Sequence, residues 1–105
     1  MLKFEDFAKL DIKMGTVVEV ERVENTDRLL KVVVDMGDEK RQVVAGFGHK
    51  LGPEDIKGKQ VPVVLNIEEA MIRGVKSQGI FVAIDADEPI LLVPEKQVNN
   101  GSKVK

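Results

Sequence analysis

Ile12-Lys13-Met14-Gly15-Thr16-Val17-Val18-Glu19-Val20-Glu21-Arg22-Val23 decides the class of this chain. Thr16, Val18 and Val20 alternate with Val17, Glu19 and Glu21, the period of two that a half-buried strand imposes. We therefore read a first strand from about Ile12 to Val23, with Gly15 marking a bend or bulge where a strongly curved strand turns. Leu30, Val32, Val34 and Met36 alternate with Lys31, Val33 and Asp35 in a second strand, and Gly37-Asp38-Glu39-Lys40 has the composition of a hairpin turn. Arg41 to Ala45 forms a third strand, ended by Gly46. Pro53-Glu54-Asp55-Ile56-Lys57 sets proline at a first helical position with acids behind it, which predicts one short helix closed by Gly58. Gln60 to Asn66 is a fourth strand, with Val61, Val63 and Leu65 on one face and Pro62 turned the other way, as at a sheet edge. Gly79 to Ile84 and Ile90 to Val93 follow, separated by the turn Asp85-Ala86-Asp87-Glu88-Pro89.

The pattern predicts an all-β, five-stranded barrel of the OB type over residues 1–105, a single domain, with a short helix between strands three and four. An SH3-like barrel fits the same strand pattern. Val18, Val20, Val32, Val34, Val63, Leu65 and Val82 are expected inside. Phe4, Phe7, Ala8 and Leu10 have helical spacing after acidic residues, so a short amphipathic helix precedes the first strand. The tail from Pro94, with its Asn100-Gly101 pair and isolated valines, reads as an extension that forms a short hairpin or pairs with a neighbour.

Composition narrows the function. A chain of 105 residues buries roughly 65% of its unfolded surface and needs neither disulfide nor metal to fold. Cysteine is absent, which excludes a disulfide scaffold and a thiolate zinc site. The acidic start lacks a signal-length apolar run, and no stretch approaches the ~20 apolar residues of a membrane span. A cytoplasmic protein with no membrane partner is expected. Sixteen Lys and Arg stand against eighteen Asp and Glu, with an isoelectric point near 5.4. That balance runs against a nucleic-acid partner unless the cations are gathered on one face.

Asn66 to Ile80 reads as a long connection between strands, and long connections inside compact domains are usually functional. Arg73 supplies a fork of donors suited to phosphate, and its glycines allow close approach. Little else there is fit for covalent chemistry, so no catalytic residue, cofactor or metal is expected. His49, the one histidine, lacks identifiable partners and reads as a surface loop residue. Asp85, Asp87 and Glu88 lack the glycine and distal Glu of a calcium loop. Glu24-Asn25-Thr26-Asp27-Arg28 has the composition of a polar turn. With no Tyr or Trp and four Phe, a base-stacking platform is unsupported.

Taken together, Leu10-Asp11-Ile12-Lys13-Met14-Gly15-Thr16-Val17, Glu24-Asn25-Thr26-Asp27-Arg28-Leu29, Val43-Val44-Ala45-Gly46, Pro53 to Lys59, Asn66 to Gly79 and Leu91 to Lys96 resemble, in order and spacing, the OB-fold tRNA-binding domain. That domain occurs as the C-terminal domain or β subunit of methionyl-tRNA synthetase and in related cofactors. The resemblance implies binding of tRNA at its outer corner without sequence reading, and no activity of its own. It also implies homodimerisation through the N-terminal segment and C-terminal extension, where Phe4, Phe7, Val98 and Val104 lie, and a possible partnership with the synthetase catalytic subunit. It assigns tRNA contacts to Asn25, Asp27 and Arg28 in the first loop and to Asn66, Arg73, Ser77 and Gly79 in the second. Arg28, Arg73 and Ser77 are expected on one face, with Lys31, Arg41 or Lys76 close by. Glu68, Ala70 and Met71 stand where the family tends to be basic, and Ile80 where it has methionine, so modest affinity is expected. The opening Phe4 to Lys13 also resembles dimeric export chaperones of the CsaA type, which implies an alternative: an apolar groove for unfolded peptides that includes Met71 and Ile72.

Overall fold

The computed structural model describes residues 1–105. Helix α1 (Phe4–Ala8) precedes β1 (Ile12–Arg22), β2 (Leu30–Asp35) and β3 (Lys40–Ala45); α2 (Pro53–Ile56) leads into β4 (Gln60–Val64). Then follow β5 (Ala70–Ile72), β6 (Val75–Ser77), β7 (Ile80–Phe81), β8 (Ala83–Ile84) and β9 (Ile90–Leu91). The main sheet has five strands in the order β3-β2-β1-β4-β7, every neighbouring pair antiparallel. Two strands related by an even number of antiparallel steps run the same way, so β3 and β7, which close the barrel, are parallel. Their seam is made by one backbone bond and two side-chain bonds from the residues just before β7. Gln78 N donates to Gln42 O at 2.7 Å, the Gln78 side-chain carbonyl accepts from Gln42 N at 3.2 Å, and Ser77 Oγ accepts from Val44 N at 3.0 Å. The result is the nearly closed OB-type barrel that the strand pattern predicts.

Leu30, Val32, Val34, Val43, Val61 and Val63 are fully buried, one face each of β2, β3 and β4. The expected interior residues Val32, Val34, Val63 and Leu65 are buried and Val20 packs partly on the core, but Val18 and Val82 are only half-buried. Their places go to Val17 and Phe81. The reason for the first is a bulge: β1 loses register with β2 between Val17 and Glu19, so the inward phase passes from Val17 to Val20. Gly15, where the bend was expected, stays in register opposite Val61. Val82 is turned from the core because Phe81 before it points inward and successive side chains of extended chain face opposite ways.

Each helix is started by an acid. Asp6 accepts from Lys3 N and Asp55 from Gly52 N, both at 2.8 Å, which satisfies amides the helix leaves free. Four residues of helix are marginal on propensity alone. What holds α2 is Ile56, fully buried beneath the barrel, a burial that contributes about 2–3 kcal/mol.

Two expectations about edges change. Pro62 lies inside the sheet, between β1 and β7. Opposite it, Met14 turns its backbone groups away from β4: its N–H donates to Ser102 O at 2.8 Å and its carbonyl accepts from Gly101 N at 2.7 Å. Pro62's own carbonyl faces the other way and accepts from Val82 N at 3.2 Å, just past the end of β7, so the donor that proline lacks falls where that ladder stops. The Met14 bonds settle the tail, which neither forms a separate hairpin nor hangs free. It returns to β1, where Val104 N donates to Ile12 O at 2.8 Å and Lys13 bridges Lys103. Gln60 clasps Val98 through both backbone groups, at 2.6 and 2.9 Å. Finally, residues 66–80 are not a plain loop, because β5 and β6 fold within them as an antiparallel hairpin.

Candidate nucleic-acid interface

Two excursions meet at one end of the barrel. The β1–β2 loop is held by backbone bonds and by one hydroxyl. Val23 N donates to Leu29 O at 3.0 Å, the Thr26 hydroxyl donates to Val23 O at 2.8 Å, and Gly48 N donates to Arg28 O at 2.6 Å. Asn25 is left-handed there, with φ 61°, a conformation Asn tolerates better than most residues. The second excursion is the β5–β6 hairpin, whose two turn residues, Arg73 and Gly74, have φ 53° and 80°. Positive φ at both positions is the type I′ geometry whose twist matches the flanking strands.

Between them lies an open hollow of about 720 Å³, bordered by Asn25, Asp27, Arg28, Ile72 and Arg73. Arg73 also borders a neighbouring hollow of about 450 Å³ with Asn25, Glu21, Glu24 and Lys31. Arg28 and Arg73 are exposed, and neither is paired with a carboxylate. Lys31 is paired with Glu21, and Lys76 stands 3.8 Å from Glu69. The cations are therefore not cleanly segregated: Asp27, Glu21 and Glu24 share the same mouth. What distinguishes Arg28 and Arg73 is that their donors are unspent.

The remaining expected contacts are used within the fold. Asn66 accepts from Asp11 N and donates to Lys9 O, both at 2.7 Å, fastening the segment before β1 to the end of β4. Ser77 is buried, with its hydroxyl accepting from Val44 N at 3.0 Å and donating to Gly79 O at 3.3 Å. It does not border the Arg28–Arg73 hollow. Gly79 passes so close to β4 that a Cβ would stand 2.7 Å from Val64 O. Arg41 donates through Nε to Glu39 at 2.7 Å and through Nη1 to both Leu65 O and Gln78 O at 3.0 Å. Its hydrogen bond holds the Glu39 carboxyl below the usual carboxylate range, and Glu39 in turn raises the Arg41 guanidinium above its own.

A third hollow, of about 460 Å³, opens on the other side of the hairpin. Phe47, Ile72, Ile80, Ile84 and Pro89 line it, with Glu68 and Asp85 among the polar residues. Sequence reasoning found Ile72 as apolar groove material but missed the groove itself, which is assembled from β3, β5, β7, β8 and the turn before β9. Met71, half of that expectation, is exposed and does not line it. His49 is exposed in the loop before α2, and no group of acids or histidine is arranged to hold a metal ion. No helix is long and apolar enough to cross a membrane.

Comparison with known proteins shows the family to which the chain belongs. A family model described as "Putative tRNA binding domain" matches residues 12–103. Methionine–tRNA ligases of Pyrococcus abyssi and Archaeoglobus fulgidus are 45% and 41% identical over 105 and 104 residues, 99% and 98% of this chain. This chain spans only 14% and 16% of those proteins. Among solved structures, a MetRS-related protein from Pyrococcus horikoshii superposes with a TM-score of 0.95 at 29% identity, covering 100% of this chain and 98% of that one. The chaperone CsaA of Bacillus anthracis follows with a TM-score of 0.90 at 30% identity, covering 100% and 99%.

Proposed function

Because this chain belongs to the tRNA-binding-domain family, we propose that it grips the sugar-phosphate backbone at the outer corner of tRNA without reading base sequence. The observation that carries the reading is the meeting of Arg28 and Arg73 at one mouth, both exposed and both unpaired. Guanidinium is the side chain best matched to phosphate, and contacts to phosphate position a nucleic acid without specifying sequence. Asn25 and Asp27 border the same mouth. Lys31, paired with Glu21, borders the neighbouring hollow, while Arg41, Asn66, Ser77 and Gly79 shape the frame. In this role the domain acts as the C-terminal domain or β subunit of methionyl-tRNA synthetase, in the cytoplasm, raising the affinity of a catalytic subunit for tRNA and performing no chemistry itself. Pairing of two copies through α1 and the tail completes the proposal; Phe4 is 88% exposed there and Phe7 46%.

A second reading, a chaperone for unfolded peptides, draws on the apolar hollow behind the hairpin and on the likeness to CsaA. Titration against total tRNA and against a permanently unfolded peptide, each over a range of salt, separates the two. The tRNA reading expects binding to tRNA, modest in affinity, that weakens as salt rises. Salt-insensitive binding to the peptide alone would replace it with the chaperone reading.

A further inference from the structure

The arm that carries Arg73 leaves the barrel after Leu65 and rejoins it at Gln78. One nitrogen, Arg41 Nη1, donates to the backbone carbonyls at both of these roots, each at 3.0 Å. The side-chain Nε2 of the next residue, Gln42, donates to Lys76 O at 2.8 Å, on the returning strand of the hairpin. Arg41 is itself oriented from the other side by Glu39, which accepts from Nε at 2.7 Å and from Nη2 at 3.3 Å. No strand ladder joins β5 or β6 to the barrel; the returning root is also fastened to β3 by the Gln78–Gln42 and Ser77–Val44 bonds, and Arg41 is the side chain that ties it to the outgoing root. A guanidinium suits the position: Nη1 carries two protons, enough for two carbonyls, while Nε and Nη2 remain for a carboxylate.

We propose that Arg41 is a positioning residue for the nucleic-acid grip, clasping both roots of the 66–77 arm so that Arg73 is held opposite Arg28. The inference rests on the tRNA reading above, and it gives Arg41 a different role from that of a phosphate contact. A phosphate contact and a clasp differ in what they do to salt dependence. Losing a phosphate contact flattens the slope of log affinity against log salt by about one unit; losing a clasp weakens binding and leaves the slope as it was. They differ again in coupling, since residues acting through one another are not additive. A clasp that works by placing Arg73 has less to do once Arg73 is gone.

The test is a double-mutant cycle on the full chain with total tRNA as probe, using Arg41→Ala, Arg73→Ala and the double variant over a range of salt. Arg41→Ala is expected to weaken binding about tenfold with the wild-type slope, and to cost at most about twofold in the Arg73→Ala background. Amide exchange within 66–77 should quicken in Arg41→Ala. If Arg41→Ala does not fold, Arg41→Met, which keeps the apolar stem, takes its place with the same expectations. A slope flattened by one unit, an equal loss in both backgrounds, unchanged affinity, or unchanged exchange in the arm would each overturn the proposal. If Arg73→Ala alone changes neither affinity nor slope, the tRNA reading fails at its centre and the clasp falls with it; if Arg73→Ala behaves as expected and the cycle shows no coupling, only the clasp fails.

Discussion

Arg73 holds a left-handed backbone, φ 53°, in the first of two turn positions. For a non-glycine residue that conformation costs about 1 kcal/mol or more. The turn would be satisfied by glycine, which carries no such penalty but loses more freedom on folding. Arg73→Gly is therefore expected to raise stability by about 0.5 kcal/mol in urea unfolding while weakening tRNA binding, the opposite signs that mark a residue kept for its side chain. Loss of both stability and binding would show instead that the side chain supports the fold. Arg73→Ala keeps the backbone penalty, so it isolates the charge. Ser77, Asn66 and Gly79 were assigned to tRNA by resemblance, and no local pattern announces the partners they have within the fold: Val44 N, Asp11 N and the close passage of Gly79 by Val64 O. Arg41 is the extreme case, since its acceptors are carbonyls 24 and 37 residues away.

At the scale of elements, the strands that alternate cleanly were legible: β2, β3 and β4 start and end within a residue or two of the pattern, and α2 follows its proline. Val17 displaced Val18 because a bulge costs one residue of phase and leaves no mark in composition. The β5–β6 hairpin was missed for a related reason: its I′ turn uses Arg-Gly, not the Asn-Gly that signals one, and each strand is three residues long. The tail was the least legible element. It supplies three backbone bonds to β1 and two to the side chain of Gln60. Asn100 adds an acceptor for the Thr16 hydroxyl at 2.7 Å. At about 1 kcal/mol each before the cost of ordering the tail, these bonds make removal of residues 95–105 destabilising by about 2–4 kcal/mol. Urea unfolding of the truncated chain checks this, and an unchanged midpoint would mean the tail is an ornament on the barrel. A truncation of this kind tests association only after its effect on folding has been subtracted.

For the whole molecule, the open matter is what covers α1. Leu2 and Phe4 are both 88% exposed, on a segment fastened to the barrel by Asn66, with Lys103 of the tail beside Asp11. Stable association buries at least about 1,200 Å² in all, more than one five-residue helix provides, so the tail must share in it. Phe4→Ser with Phe7→Ser is expected to yield a folded monomer in sedimentation where the wild type is a dimer. A wild type that sediments as a monomer at micromolar concentration contradicts the pairing.

The same scale holds the molecule's oddest property, an acidic chain proposed to bind a polyanion. Net charge is −2, and acids stand among the cations at the mouth, so the grip depends on a few unpaired guanidinium groups and not on a broad basic field. That dependence has a direct measure: the affinity of wild type and Arg73→Ala for several purified tRNA species, each followed against salt concentration. The account predicts that Arg73→Ala weakens all of them about equally and flattens the salt slope by about one unit. Selective loss for one tRNA, or a slope that does not change, would contradict it.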